Sequence, residues 1–310
     1  MRAVIIANPR ATAAARGYPQ QVARRLADVV QVEAVQLTGD RDHATELGAS
    51  ARKDGADVVV VIGGDGTVNE VLQGLLDGHG GPEDDPPLLG VVPVGSTNVF
   101  ARALGLPNDA DAAIAALCRG LEHPRERRVG LGQADGRWFT FAAGLGLDAA
   151  VVAAVERRRR AGRRSTPQLY ARLAFEEFVR ARRRPARVTL ASPRKEPIEQ
   201  LALTLVTNTS PWTYLRSRAV NPTPQASFDT GLDVYARRSL HARGVLRGIR
   251  WAVRPEPART ADPGEVVLHD LHEFTLSTDE PLPFQLDGDY LGPRTTVRFV
   301  ARPRALRVIC

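Results

Sequence analysis

Five consecutive β-branched residues, Val58–Ile62, run directly into a glycine-rich turn, Gly63–Thr67. A strand without a polar position is buried on both of its faces, which is typical of a parallel sheet covered by helices. After the turn, apolar residues recur at helical spacing from Val68 to Leu76. This strand–turn–helix unit predicts an open α/β sheet, in which ligands bind beyond the carboxyl ends of the strands.

The organisation of the chain changes near residues 122–128. Before this point short apolar strands alternate with helical patterns, which predicts an α/β domain with a parallel sheet over residues 1–125. From Arg127 onward most segments are short strands separated by turns such as Asp135-Gly136 and Asp287-Gly288. We therefore predict an antiparallel, β-rich second domain over residues 126–310, whose final strands could return to the first domain.

Composition excludes several classes of protein. With 310 residues, of which 43% are hydrophobic, the chain is neither disordered nor a disulfide-stapled mini-protein. The two cysteines, Cys118 and Cys310, provide no disulfide framework and no metal cluster, which is typical of a reducing cytoplasm. No apolar window approaches the roughly 18 residues that a spanning helix needs. We expect a cytoplasmic protein that contacts a membrane at most through its surface.

The turn Gly63–Thr67 is suited to holding phosphate. Glycine lets main-chain amides approach an anion closely, and the N-terminus of the following helix adds N–H donors. The Thr67 hydroxyl can bond a phosphate oxygen, whereas Asp65 would repel a bare phosphate and therefore indicates one that carries Mg²⁺. The alternative is a plain tight turn with Thr67 as the helix cap. The chain has no P-loop motif, and the segment from Gly144 to Asp148 lacks the third glycine of a dinucleotide site.

Further motifs accompany this turn along the chain. They are Asn8-Pro9, Thr38 followed by His43-Ala44, Asn69-Glu70-Val71, Pro93–Pro107, Ala143–Ala149, Phe228–Asp233 and Leu286–Asp289. Together with Gly63–Thr67 they resemble the catalytic domain shared by diacylglycerol kinases, sphingosine and ceramide kinases, and soluble bacterial lipid kinases. The resemblance extends from residue 8 to residue 289.

The resemblance implies an ATP-dependent lipid kinase that uses Mg²⁺ and phosphorylates diacylglycerol or a related lipid alcohol. It also implies a nucleotide-binding α/β domain like that of NAD kinases and diacylglycerol kinases, followed by an antiparallel β-sandwich, with the active site in the cleft between them. The nucleotide-binding residues that it implies are Asn8, Pro9, Thr38, Gly63, Gly64, Asp65, Gly66, Thr67, Asn69, Glu70 and Ser96.

The same resemblance implies the catalytic carboxylates. It locates the proton acceptor in the Asp287-Gly288-Asp289 turn, with Asp289 as the first choice and Asp287 as the second, while Asp65 positions Mg²⁺·ATP. The family's closing glutamate is Asp289 here, so this carboxylate is shorter by one methylene. A turn that holds a structural Mg²⁺ in relatives has Thr230 at an acidic position, which leaves Asp229 and Leu232 as candidate metal ligands.

Two other functions stay open. An NAD kinase would share the Gly63–Thr67 turn and the two-domain organisation, although Asn69-Glu70 and the segment Asn98–Arg102 have the lipid-kinase form. A non-catalytic relative that binds nucleotide or lipid is favoured by Val99 and Thr230, which stand where the family has acidic residues.

The net charge of +7 is concentrated in one segment. Residues 157–187 hold twelve arginines and only two acids, Glu176 and Glu177, which leaves the rest of the chain about −3. This segment is either a solvated pair of helices or a patch, Arg157–Arg187, that contacts an anionic membrane at its inner, cytoplasmic face. Nucleic-acid binding is disfavoured because no nucleic-acid module accompanies the charge.

The terminal strand Leu306–Ile309 could also pair across an edge in a homodimer.

Overall fold

The computed structural model describes most of the chain. The described residues are 1–9, 11, 17–40, 42–78, 85–123, 126–161, 166–193, 195–215, 217–253 and 264–310. They form two compact units, Met1–Leu131 with Pro303–Cys310, and Gly132–Arg302. The functional domain limits that the sequence suggests, 1–125 and 126–310, stay a prediction.

The first unit consists of alternating strands and helices. Its elements are β1 (Arg2–Ala7), α1 (Tyr18–Leu26), β2 (Gln31–Leu37), α2 (His43–Lys53), β3 (Val58–Gly63), α3 (Asp65–Leu75), β4 (Leu88–Pro93), α4 (Val99–Ala103), α5 (Ala110–Glu122), β5 (Glu126–Ala134) up to Leu131, and β16 (Asp289–Ile309) from Pro303 onward.

The sheet of the first unit is parallel, in the order β2-β1-β3-β4 followed by the end of β16. Every residue of β3 and β4 is buried, as the apolar run Val58–Ile62 predicts. One face of the sheet packs against α1 and α5. Helices α2 and α3 pack closely together, because Gly74 faces the carbonyl of Thr45 with no room for a side chain between them. The carboxyl ends of β1 to β4 consequently lie along one edge.

The second unit is mainly antiparallel. After the end of β5, its elements are β6 (Arg137–Phe139), β7 (Ala142–Leu145), α6 (Leu147–Arg160), α7 (Pro167–Arg183), β8 (Val188–Ser192), β9 (Lys195–Leu201), β10 (Leu203–Thr207), β11 (Thr213–Leu215), β12 (Arg218–Val220), β13 (Leu232–Arg237), α8 (Ala242–Ala252), β14 (Glu265–Leu271), β15 (Glu273–Leu286) and β16 up to Arg302.

The main sheet of the second unit has the order β14-β13-β10-β7-β15-β16. Strand β15 also pairs with β8, which pairs with β9, while β11 and β12 form a separate hairpin. The core of this unit includes Phe274, whose ring stacks on that of Phe299 with the ring centroids 5.0 Å apart.

The predicted fold class, a parallel α/β part followed by an antiparallel part, is confirmed. Two details differ from the sequence interpretation. The predicted terminal strand Leu306–Ile309 is the end of a longer strand, β16, and the strands β9, β11 and β12 have no counterpart in the prediction.

Candidate active site

The loop after β1 and the turn after β3 meet at the carboxyl edge of the first unit's sheet. The backbone N–H of Asn8 donates to the carbonyl of Ile62 at 3.0 Å, and its side-chain amide donates to the Thr67 hydroxyl at 3.0 Å. Because the Thr67 hydroxyl accepts this bond, its own proton can be donated elsewhere. The structure thus brings together two residues that lie 59 positions apart and that the sequence assigned to one site.

The turns after β3 and β4 touch through their backbones. A Cβ atom on Gly95 would lie 2.6 Å from the Cα of Gly64 and 2.7 Å from Oδ1 of Asn98. The N–H of Val94 also donates to the carbonyl of Gly63 at 3.1 Å. Only glycine permits this approach, so the two turns form a single main-chain surface.

Asp65 ties the start of α3 to the start of α4. Its Oδ2 accepts from the N–H of Val99 at 2.9 Å, and its Oδ1 accepts from the N–H of Phe100 at 3.0 Å. The carboxylate therefore caps the N-terminus of α4. Asn98, the residue before this helix, makes no capping hydrogen bond with its own side chain. Asn98 is buried and bonds both the N–H and the carbonyl of Gly95 at 3.0 Å, which closes the turn after β4.

The first turn of α3 presents amides without intrahelical acceptors. The first intrahelical bond runs from the N–H of Val68 to the carbonyl of Gly64 at 3.1 Å, so the N–H groups of Gly66 and Thr67 precede it. The same helix end carries the positive pole of the helix dipole. This turn is chemically suited to an anionic ligand.

The remaining nucleotide-binding candidates lie on the same elements. Thr38 is buried directly after β2, with its N–H bonded to the carbonyl of Ala7 at 2.9 Å. Asn69 is buried in α3, where its Oδ1 accepts from Gln73 at 3.0 Å. Glu70 is half-buried beside it, whereas Pro9 and Ser96 are exposed in the loops after β1 and β4.

In the second unit, β15 and β16 are joined by the two-residue turn Asp287-Gly288. Both residues have positive φ, 48° and 85°, as a type I′ hairpin turn requires. The buried Asp287 carboxylate accepts four bonds of 2.7 to 3.0 Å, from the N–H and hydroxyl of Thr140 and the N–H groups of Phe141 and Ala142. Burial raises the pKa of Asp287, and these donors offset part of that effect.

A second buried carboxylate supports this turn through an amide. Nε2 of Gln285 donates to Oδ2 of Asp148 at 2.8 Å, and Oε1 of Gln285 accepts from the N–H of Gly288 at 2.8 Å. Burial raises the pKa of Asp148 from 3.8 to about 6. Asp148 appeared in the sequence only as part of a motif, and Gln285 was missed because a neutral amide carries no spacing signal.

Asp289 itself is exposed and stands opposite Leu286 at the start of β16.

The candidate metal turn is held by hydrogen bonds to Ser227. The N–H of Asp229 donates to the Ser227 hydroxyl at 3.2 Å, and the Thr230 hydroxyl donates to the carbonyl of Ser227 at 3.1 Å. The side chain of Leu232 is fully buried and is apolar. Within the described part of the chain, no three His, Cys, Asp or Glu residues are grouped so that they could hold a metal ion. The assignment of Asp229 and Leu232 as metal ligands therefore stays a prediction.

Most arginines of the arginine-rich segment are exposed where the structure describes them. Three of them pair with acids: Arg172 with Glu176 at 2.8 Å, Arg180 with Glu177 at 2.5 Å and Arg184 with Glu280 at 2.6 Å. Residues 162–165, which include two of the arginines, lie outside the described residues. Within the described chain no helix is both long and apolar enough to cross a bilayer.

Comparison with known proteins finds a family profile similar to most of the first unit. Residues 2–128 match the sequence profile described as the diacylglycerol kinase catalytic domain. The match covers less than half of the chain, and it shows what these residues are similar to. The Gly63–Thr67 turn, Asn8 and Asp65 all lie within the matched part.

The chain is also similar to individual diacylglycerol kinases. One from Bacillus subtilis (strain 168) is 40% identical over 114 residues, covering 36% of this chain and 34% of the relative. One from Staphylococcus saprophyticus is 37% identical over 112 residues, covering 36% of this chain and 33% of the relative. The alignments thus span about a third of the length of these curated relatives.

The fold similarity extends over the whole chain. The crystal structure of a diacylglycerol kinase from Bacillus anthracis str. Sterne superposes with a TM-score of 0.74, covering 99% of this chain and 96% of that one. The sequence identity over this superposition is 18%, so the similarity establishes the fold and not the substrate.

Proposed function

We propose that this protein is a lipid kinase that transfers the γ-phosphoryl group of ATP to the hydroxyl of diacylglycerol or a related lipid alcohol. The observation that carries the proposal is the joined turn pair after β3 and β4, in which Gly64 touches Gly95 and Thr67 bonds Asn8. This main-chain surface lies within the segment that matches the profile of the diacylglycerol kinase catalytic domain. The two named relatives are themselves diacylglycerol kinases.

In this proposal the Gly63–Thr67 turn holds the phosphates of ATP. The amides at the start of α3 donate to phosphate oxygens, and the Thr67 hydroxyl adds a donor whose orientation Asn8 holds. Further contacts with the nucleotide come from residues around the turn. These are Pro9, Thr38, Asn69, Glu70 and Ser96.

Asp65 contributes to the proposed site in two ways. Its carboxylate holds the start of α4 and so keeps the turn after β4 against the turn after β3. As the carboxylate at the phosphate-binding turn, it is also the residue that would hold Mg²⁺ bound to ATP. Mg²⁺, when bound, offsets the negative charge on the transferred phosphoryl group.

We assign the proton acceptor to Asp289 and not to Asp287. Asp287 is buried, and four donors occupy its carboxylate, so its contacts suit it to anchoring the hairpin. Asp289 is exposed on the other side of Gly288, and in this proposal its carboxylate takes the proton of the acceptor hydroxyl. Asp287, Gln285 and Asp148 would then fix the turn that carries Asp289.

The segment Arg157–Arg187 would attract the enzyme to the membrane that holds its substrate. Each arginine near an anionic surface contributes about 1 kcal/mol of attraction. The acids Glu176 and Glu177 neutralise little of the charge of twelve arginines. This would place the enzyme at the inner face of the cytoplasmic membrane.

A transfer assay with a panel of acceptors tests the proposal. Purified protein is incubated with ATP labelled at the γ-phosphate and Mg²⁺, together with diacylglycerol, monoacylglycerol, sphingosine, ceramide or NAD. We expect label in a lipid product, with diacylglycerol as the best acceptor. Label in NADP and in no lipid would identify an NAD kinase, and ATP binding without any labelled product would identify a non-catalytic relative.

A further inference from the structure

Helix α8 (Ala242–Ala252) has an exposed face that carries large apolar side chains. Leu246 and Ile249 are 61% and 52% exposed, although both are among the most hydrophobic residue types. The opposite face is packed: Ala252 is buried, and a Cβ on Gly248 would lie 2.7 Å from the Tyr235 hydroxyl oxygen. The packing of α8 on its own unit therefore leaves Leu246 and Ile249 facing outward.

Arginines border this apolar strip along one side. At 100° per residue, Leu246 and Ile249 lie about 60° apart on the helix surface. Arg243, Arg247 and Arg250 lie together within about 60° of one another, next to Leu246. All three arginines are exposed, and the helix contains no Asp or Glu. The exposed face thus has an apolar half and a cationic half, which run side by side along the helix.

The hairpin of β11 and β12 lies beside the end of α8. The N–H of Asn221, directly after β12, donates to the carbonyl of Ala252 at the end of α8 with a distance of 2.7 Å. In this hairpin Leu215 is 58% exposed and Arg218 is exposed. A second element beside α8 therefore presents the same pairing of an apolar and a cationic side chain.

We propose that α8 and the β11–β12 hairpin form an interfacial surface that docks on an anionic bilayer. Leu246, Ile249 and Leu215 enter the outer part of the acyl region, and the arginines contact lipid phosphates. A helix with an apolar strip and a cationic flank is suited to lying in the plane of a membrane interface. Charge complementarity selects the occupant, since the helix offers only cations, and a nucleic acid would leave the leucine and isoleucine without a partner. This surface is separate from Arg157–Arg187 and does not depend on the kinase activity.

Vesicle binding of the full chain tests the proposal. The probes are vesicles of phosphatidylcholine alone and of phosphatidylcholine with about a third phosphatidylglycerol, and bound protein is measured by sedimentation. We expect the L246S/I249S variant to bind anionic vesicles about tenfold more weakly than the wild type. Replacing Arg243, Arg247 and Arg250 by Gln should weaken binding by about a hundredfold, at about fivefold for each arginine.

Matched controls separate this surface from general effects of charge and hydrophobicity. The R24Q/R25Q/R119Q variant removes the same charge from helices of the first unit, and V35S/L37S removes two exposed apolar residues from β2. Both controls should bind within twofold of the wild type. Binding by L246S/I249S within twofold of the wild type, or an equal loss in V35S/L37S, would overturn the proposal.

Two further measurements cover misfolding and self-association. L246W should show a blue-shifted emission with anionic vesicles, and an unchanged spectrum would contradict insertion even if the serine variant does not fold. Sedimentation equilibrium without lipid should show the same mass for the wild type and L246S/I249S. A wild-type dimer that the double variant converts to a monomer would show that a second copy of the chain occupies the face, which would also overturn the proposal.

Discussion

At the scale of single residues, the least expected feature is the buried Asp148. It lies in the first turn of α6, and its carboxylate accepts from the amide of Gln285 at 2.8 Å. Burial raises its pKa to about 6, which means that the folded state favours the protonated carboxyl more than the unfolded chain does. Ionising Asp148 therefore costs folding free energy, and that cost develops as the pH rises from about 4 to about 6.

Replacing Asp148 by Asn should remove this cost. The side-chain oxygen of the introduced asparagine can still accept from Gln285, so the bond to the turn is kept while the buried charge is lost. At pH 8 we expect the free energy of unfolding to rise by up to about 3 kcal/mol, since the pKa shift spans about two units. At pH 4 or below the two proteins should be nearly equal, and urea unfolding at both pH values measures the difference.

The control for this substitution is Asp111→Asn. Asp111 also lies in the first turn of a helix, α5, but it is exposed, so its loss should lower stability slightly through the helix dipole. An equal gain in stability for Asp111→Asn and Asp148→Asn would contradict the explanation by burial.

At the scale of elements, the β15–β16 hairpin depends on the carboxylate of Asp287. Replacing Asp287 by Ala would leave four buried donors from Thr140, Phe141 and Ala142 without an acceptor. We expect a loss of about 3 to 5 kcal/mol in unfolding free energy, measured by denaturant titration.

Asp135→Ala provides a matched control, because Asp135-Gly136 is another turn with positive φ at both positions. Asp135 is exposed and accepts one bond from the N–H of Arg298 at 2.9 Å, so its replacement should cost only about 1 kcal/mol. Equal losses in the two variants would show that turn geometry, and not the buried bonds, determines the effect.

The contact between the turns after β3 and β4 can be tested with Gly95→Ala. The added Cβ would lie within 2.7 Å of Gly64 and Asn98, so the two turns must separate. We expect a loss of about 1 to 3 kcal/mol in stability and a raised KM for ATP in the transfer assay. Ser96→Ala, in the same loop but exposed, should change stability by less than about 0.5 kcal/mol. A Gly95→Ala protein with wild-type stability and KM would contradict the joined-turn description.

Elements with a strong local signal could be predicted from the sequence, and others could not. The all-apolar run Val58–Ile62 and the Asp287-Gly288 turn specify their structures locally. Strand β9 is mostly exposed and contains a proline, so its pairing with β8 has no periodic signal. For the site, the family resemblance assigns Asn8 and Thr67 to one site, and their side chains are hydrogen-bonded, whereas the capping of α4 by Asp65 depends on tertiary contact alone.

At the scale of the whole molecule, the charge is distributed unevenly. A body with a net charge of about −3 carries a segment, Arg157–Arg187, with a net charge of about +10. If this segment attracts the protein to anionic lipid, binding should fall steeply as salt is raised from about 0.1 to 0.5 M, because screening shortens the range of the attraction. Changing Arg157–Arg160 to Ser should flatten this salt dependence in a vesicle sedimentation assay. A dependence as steep as that of the wild type would show that the segment is only a solvated surface.

The proposed lipid kinase activity depends most directly on Asp289 as the proton acceptor. The decisive measurement is transfer of label from γ-labelled ATP to diacylglycerol in mixed micelles, comparing the wild type with Asp289→Asn and the exposed Asp279→Asn. We predict that Asp289→Asn lowers kcat by at least about a hundredfold with unchanged ATP binding, while Asp279→Asn keeps the wild-type rate. Full transfer by Asp289→Asn, or no lipid product from the wild type, would contradict the proposed mechanism.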